Sequence, residues 1–183
     1  MAAAILLLVS CGRNKGYAPS AGTSSAGTCP SFLNGNFALP ALSNNSLGVT
    51  GDITDWIVGG TSFLTGVANG NRCFPSLPAG TQCAVFEDSG SEHTSTLSQT
   101  LTGLTVGKSY SITFAISSIN GTSTFSLSAG GVSISSGTAP SSYLSVTSSP
   151  FTASATTASV LFTIDIVSNF ENGSITGVTL NCL

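Results

Sequence analysis

From residue 29 to the end, bulky apolar and small polar side chains alternate at period two, and that alternation predicts a chain built almost wholly of β-strands. The clearest segment is Lys108 to Ser117. There Tyr110, Ile112, Phe114 and Ile116 fall on one face, and Ser111, Thr113 and Ala115 on the other. Thr122 to Ser128 repeats the pattern with Phe125 and Leu127, and Ser159 to Val167 aligns Val160, Phe162, Ile164 and Ile166. Ser174 to Cys182 reads as a Thr-rich strand carrying Ile175 and Val178. Further strands are expected at Ser31–Phe37, Thr54–Val58, Ser62–Val67, Gln82–Glu87 and Thr94–Leu101. Gly and Asn-Gly punctuate these segments, no stretch shows a three-turn helical stripe, and no fixed-period repeat is present. Short strands at this density predict an all-β fold, a two-sheet antiparallel β-sandwich (jelly roll) forming a single domain over residues 29–183.

The first 28 residues break the pattern. Residues 1–11 are a continuous apolar run ending in Cys11, too short to span a bilayer as a helix. The run reads as a signal-peptide core without a basic start. Two alternatives stand beside it. Leu8-Val9-Ser10-Cys11 matches a lipobox, which would make Cys11 a lipidation site. The run could instead be a retained apolar strand that packs on a neighbouring subunit. Residues 12–28 are a Gly/Ser/Ala linker.

Composition narrows the setting. The 183 residues are 41% hydrophobic and only 6% charged, against a usual charged share of about 25%. Solubility must therefore rest on Ser, Thr, Asn and Gly, or on attached sugars. A net charge of -3 with four basic residues leaves no electrostatic footprint for nucleic acid or for an anionic membrane. Of the five cysteines, four lie in the body of the chain without CxxC spacing or a nearby His, which favours disulfides over zinc. Three pairings are possible. The favoured one is Cys73–Cys83, closing a short loop, with Cys29–Cys182, tying the start of the fold to its end. Oxidised pairs imply a secreted or cell-surface location.

A series of motifs runs along this β pattern: Asn34-Gly35-Asn36-Phe37, Trp56 in ITDWIV, Ala84-Val85-Phe86, Leu97-Ser98-Gln99-Thr100-Leu101, Gly107 through Phe114, and Gly177-Val178-Thr179-Leu180. In this order, over residues 31 to 181, the chain resembles the galactose-binding-like jelly-roll domains of the CenC-type carbohydrate-binding modules and the DUF642-like cell-surface family. The resemblance implies a sandwich that binds glycans without catalysis. Two departures stand out. Ala38 occupies a position where the family often has Glu, and Thr176-Gly177 stands where it often has Asp-Asp. Those acids commonly help hold a structural calcium, and calcium needs several hard oxygen ligands. No cofactor is therefore expected, and calcium is doubtful at that position.

The candidate chemistry is sparse. The lone His93 lies in a polar stretch without a nucleophile elbow. The carboxylate pairs Asp52/Asp55 and Glu87/Glu92 carry no spacing that distinguishes a glycosidase pair from loop acids, so no enzyme is expected. Glu87, Asp88 and Glu92 form a weak candidate metal cluster. Sugar recognition needs aromatic faces for the apolar C–H side of the ring and polar groups for its hydroxyls. Trp56, Phe63, Phe74 and Tyr143 are the candidate platforms, although Trp56 in its apolar run suits a core better than a binding face. The disulfide-closed loop would present Arg72, Phe74 and Gln82 together, or else cap the sandwich as a hydrophobic lid. Asn44, Asn120 and Asn172 begin N-glycosylation sequons. Two functions follow as expectations. One is a secreted, non-catalytic glycan-binding or wall-associated module whose partner is a polysaccharide or glycoconjugate. The other is a structural subunit of an extracellular filament or coat, whose partners are copies of itself joined by β-strand contacts.

Overall fold

The structure, a computed structural model, describes residues 29–43, 46–48, 51–61, 64–77, 81–87, 93–119, 122–166 and 172–183. The apolar run, Cys11 and the linker lie outside these residues, as do Asn44, Phe63, Asp88, Glu92 and Asn120. The described strands are β1 (Ile57–Gly60), β2 (Leu64–Asn69), β3 (Gln82–Glu87), β4 (His93–Thr102), β5 (Ser109–Ser118), β6 (Thr124–Ala129), β7 (Val132–Thr138), β8 (Leu144–Thr147), β9 (Phe151–Thr152), β10 (Thr157–Ile166) and β11 (Asn172–Cys182), with a 3-10 turn at Gly70–Arg72. They form two antiparallel sheets. The back sheet has five strands ordered β1-β4-β10-β6-β7, and the front sheet has six, ordered β2-β3-β11-β5-β8 with β9 also on β5. Chain neighbours are mostly not sheet neighbours, so the strands cross between sheets as a jelly roll requires.

Period-two alternation drives this arrangement. Leu97, Leu101, Phe125, Leu127, Phe162 and Ile164 of the back sheet bury against Phe86, Ile112, Phe114, Ile116 and Ile175 of the front sheet. Phe114 lies edge-on to Phe125 at 5.7 Å and to Phe162 at 5.1 Å, a favourable geometry for ring quadrupoles. In β11, Ile175 and Val178 are both buried although three residues apart. An extra residue between Thr176 and Thr179, relative to β5, makes this possible. Gly177 absorbs the bulge with φ of 64°.

The expected strand at Ser31–Phe37 is instead a turn. Asn34 and Phe37 have φ of 48° and 56°, and Phe37 N–H closes on Asn34 O at 3.0 Å. The Asn-Gly pair favours such a reversal. Gly35 is required there for a second reason, since a Cβ would meet Val178 O at 2.2 Å. Trp56 is corrected as a sugar platform. It is 6% exposed, stacked on Phe32 at 5.6 Å and tilted against Phe37 and Phe162. Its indole N–H donates to Asn34 O at 3.2 Å, so the ring is core with its one polar atom satisfied. The disulfides Cys29–Cys182 and Cys73–Cys83 are formed, with Cα separations of 5.8 and 6.1 Å. Among the described residues no helix is long and apolar enough to cross a membrane.

Candidate functional site

The outer face of the front sheet carries the residue types turned away from the core. Register sets Ser174 beside Ser117, Thr176 beside Ala115, Thr179 beside Thr113 and Asn181 beside Ser111. β8 adds Thr147 beside Thr113 and Ser145 beside Ala115. Ser111, Ser117 and Ser174 are buried, and Thr113, Thr147, Thr179 and Asn181 remain accessible as an uncharged floor of hydroxyl and amide groups. Asn181 Nδ2 donates to Thr113 Oγ1 at 2.9 Å and to Ser111 Oγ at 3.2 Å. Thr113 Oγ1 and Thr147 Oγ1 lie 2.9 Å apart. A hydroxyl is both donor and acceptor, so such a floor can match a ligand's hydroxyls in either sense.

One end of the floor is covered by the disulfide-closed loop. Cys73, Cys83, Ala68 and Val85 make a small second core, with Leu47, Phe74 and Leu77 packed on it. The loop is then tied down by polar contacts. Phe74 O accepts from Ser174 Oγ at 2.8 Å and also from Ser117 Oγ. Tyr143, just before β8, shares a 2.7 Å hydrogen bond with Ser174 Oγ. Phe74 and Tyr143, both half-buried, thus meet one hydrogen-bonded chain at the edge of the floor. Burial pushes the Tyr143 hydroxyl above its ordinary pKa, against the opposing effect of its hydrogen bonds to Ser174 and Ser117. The phenol is therefore neutral at physiological pH. Arg72 is exposed beside the same loop. Burial raises the Glu87 carboxyl above its ordinary value, and the nearby Arg72 charge partly offsets that rise.

Of the proposed ligand residues, the structure brings Arg72, Phe74 and Tyr143 to this one region. Gln82 is corrected. It is 6% exposed, and its carboxamide is spent on backbone groups, donating to Phe37 O and Pro40 O and accepting from Leu42 N–H. The Asn172 carbonyl accepts from Ile119 N–H at 2.8 Å, and its residue is half-buried at the start of β11. Asp52 and Asp55 are exposed beside the turn before β1. Glu87 lies in the front sheet and His93 in the back sheet. Among the described residues no three His, Cys, Asp or Glu side chains are grouped to hold a metal ion. Ser117, Ser174, Thr113 and Asn181 escaped sequence reasoning as site residues. Their alternation was visible, but which hydroxyls meet depends on strand register.

No family model matches the sequence, and no curated protein does. Solved structures match the fold. A family 61 carbohydrate-binding module in complex with β-1,4-galactotriose is 15% identical at a TM-score of 0.65, covering 85% of this chain and 100% of its own. The K1 cleaved adhesin domain of Lys-gingipain from Porphyromonas gingivalis is 12% identical at 0.54, covering 78% and 96%. The enzymatically active domain of tailspike protein 4 from bacteriophage CBA120 is 16% identical at 0.55, covering 84% of this chain and 21% of that one. At these identities the likeness is one of fold, the carbohydrate-binding-module type of β-sandwich jelly roll.

Proposed function

We propose that the protein is a secreted or cell-surface module that binds a neutral polysaccharide or glycoconjugate without catalysis, on the outer face of the front sheet. The observation that carries this reading is the uncharged floor of Thr113, Thr147, Thr179 and Asn181, running towards Tyr143 and Phe74. A sugar ring offers an apolar C–H face and a rim of hydroxyls, and this surface offers the complement of both. The charged pair at its end, Arg72 and Glu87, sums to zero, which favours neutral over acidic glycans. The loop bearing Phe74 is held by a disulfide and by Ser117 and Ser174, so little ordering entropy is lost on binding. A sandwich of the same fold has been solved with a galactotriose, which supports the same class of ligand.

The test is a glycan-array screen of the full chain, followed by titration calorimetry on the strongest hit. Phe74→Ala is expected to weaken that hit by about tenfold or more, the worth of one well-placed aromatic contact. Tyr143→Phe keeps the ring and removes the hydroxyl, so a smaller loss is expected. An array without hits would overturn the reading. Undiminished affinity in Phe74→Ala would place the glycan elsewhere.

A further inference from the structure

We infer that the carboxamide of Gln82 does in this chain the structural work of a loop-tying cation, so that the loop from Phe37 to Leu42 owes no stability to calcium. The argument starts where the motif departures meet in space. Ala38, Thr176 and Gly177, which stand at the positions expected to carry acids, line one cavity of about 490 Å³ together with Asn36, Asn69 and Gln82. Among the described residues no carboxylate lines it. Two backbone carbonyls of the preceding loop, Phe37 O and Pro40 O, converge beside this cavity, and convergent carbonyl oxygens attract positive charge. Gln82 Nε2 meets them both, at 2.5 and 3.0 Å.

The orientation of the amide is fixed from its other end. Leu42 N–H donates to Gln82 Oε1 at 2.8 Å. A flipped amide would set its oxygen against two carbonyl oxygens and its NH2 against an N–H, so only one arrangement satisfies all three partner groups. The backbone of Gln82 is held as well, because Thr176 Oγ1 donates to its carbonyl at 2.9 Å. One buried neutral side chain therefore ties the loop at Phe37, Pro40 and Leu42 to β3, and the Thr176 hydroxyl ties β3 to β11.

A calcium ion does not fit this donor set. It takes six to eight oxygen ligands, with carboxylates among them. Here the two converging carbonyls are already satisfied by N–H hydrogens, and Ala38 and Gly177 bring no side-chain oxygen. The buried side-chain oxygen left without a partner among the described residues is Asn69 Oδ1, a single neutral ligand. A neutral amide also avoids the cost of burying a charge, which suits a protein with so few.

The experiment is thermal unfolding of the full chain in excess EDTA and in millimolar calcium, for the natural sequence and for Gln82→Glu. The natural chain is expected to melt at the same temperature in both. Gln82→Glu turns the donor into an acceptor facing two carbonyls. In EDTA its Tm is expected to fall by roughly 5–10 °C, the size of shift that lost buried hydrogen bonds produce in a domain of this length. Calcium is expected to recover part of that loss, because a carboxylate and two carbonyls then share the ion. A natural chain whose Tm rises in calcium overturns the inference. So does a Gln82→Glu chain that melts like the natural one in EDTA, or one whose Tm ignores calcium.

Discussion

Glu87 shows how a charge-poor surface treats the few charges it keeps. The carboxyl sits at the end of β3, and burial outweighs the attraction of Arg72, so its folded pKa lies above the ordinary 4.5. A carboxyl of raised pKa favours the protonated form in the folded state. Its contribution to stability is complete below pH 4.5 and is lost as pH rises through the higher folded value. Glu87→Gln fixes the neutral form. Relative to the natural chain, the variant is expected to gain stability at neutral pH and to lose that advantage as the pH falls below the ordinary carboxyl range. Urea unfolding midpoints at neutral and acidic pH measure this directly. A constant difference between the two chains across pH would show that the Arg72 attraction cancels the burial. The same substitution changes the charge at the end of the proposed sugar floor, so a neutral glycan should bind the variant nearly as well.

The segment from Leu33 to Leu42 has no strand of its own and is held by three carboxamides. Asn34 bonds Leu39 through both its N–H and C=O and also reaches Thr54 O. Gln82 holds Phe37, Pro40 and Leu42. Gln99, on β4, accepts from Leu33 N–H and donates to Leu33 O and Asp55 O, each at 2.9 Å. Replacing Gln99 with Leu fills similar volume but strands these backbone groups. The expected cost is about 2–4 kcal/mol in urea denaturation. A cost below about 1 kcal/mol would mean that water replaces the amide there. These staples mark the limit of what sequence patterning reveals. β5 and β10 were legible because period two is a local property with bulky residues on one face. β7, reading VSISSGT, was not, because a Ser-rich edge strand lacks a heavy face to announce it. The turn at Asn34 was mistaken for a strand because Phe32 and Phe37 mimic an apolar run, whereas φ there depends on Gly35 lying against Val178 O. In the candidate site, Phe74 is a candidate from its place in the cysteine-closed loop, and its carbonyl meets Ser117 and Ser174. Gln82 was misread by the same reasoning, since sequence shows which residues share a loop but not which way a side chain turns. Ser117 and Ser174 become a pair only once β5 and β11 are in register.

At the scale of the whole molecule, the two disulfides divide the labour of stability and function. Cys29–Cys182 joins residues 153 apart and closes nearly the entire sandwich, whereas Cys73–Cys83 spans a separation of 10. Cross-linking mainly restricts the unfolded chain, and the restriction grows with the logarithm of loop length. Serine at both Cys29 and Cys182 should therefore cost about 5 kcal/mol, against about 3 kcal/mol for serine at Cys73 and Cys83. Binding should rank the other way. The longer bridge lies at the end of β11, next to Asn181 of the floor but away from Phe74, so its loss should cost less glycan affinity than loss of the shorter bridge in whatever fraction stays folded. The shorter bridge is the centre of the small core on which Phe74 rests. Without it, Phe74 and Arg72 must be ordered at the moment of binding, and each freed side chain costs about 0.5–1.5 kcal/mol of affinity. Calorimetry with the strongest array ligand, run below the unfolding transition of each variant, should therefore find the less destabilised protein to be the weaker binder. If affinity instead follows stability across the two variants, the loop does not form the recognition surface. The uncharged floor of β5, β8 and β11 would then have to bind the sugar alone.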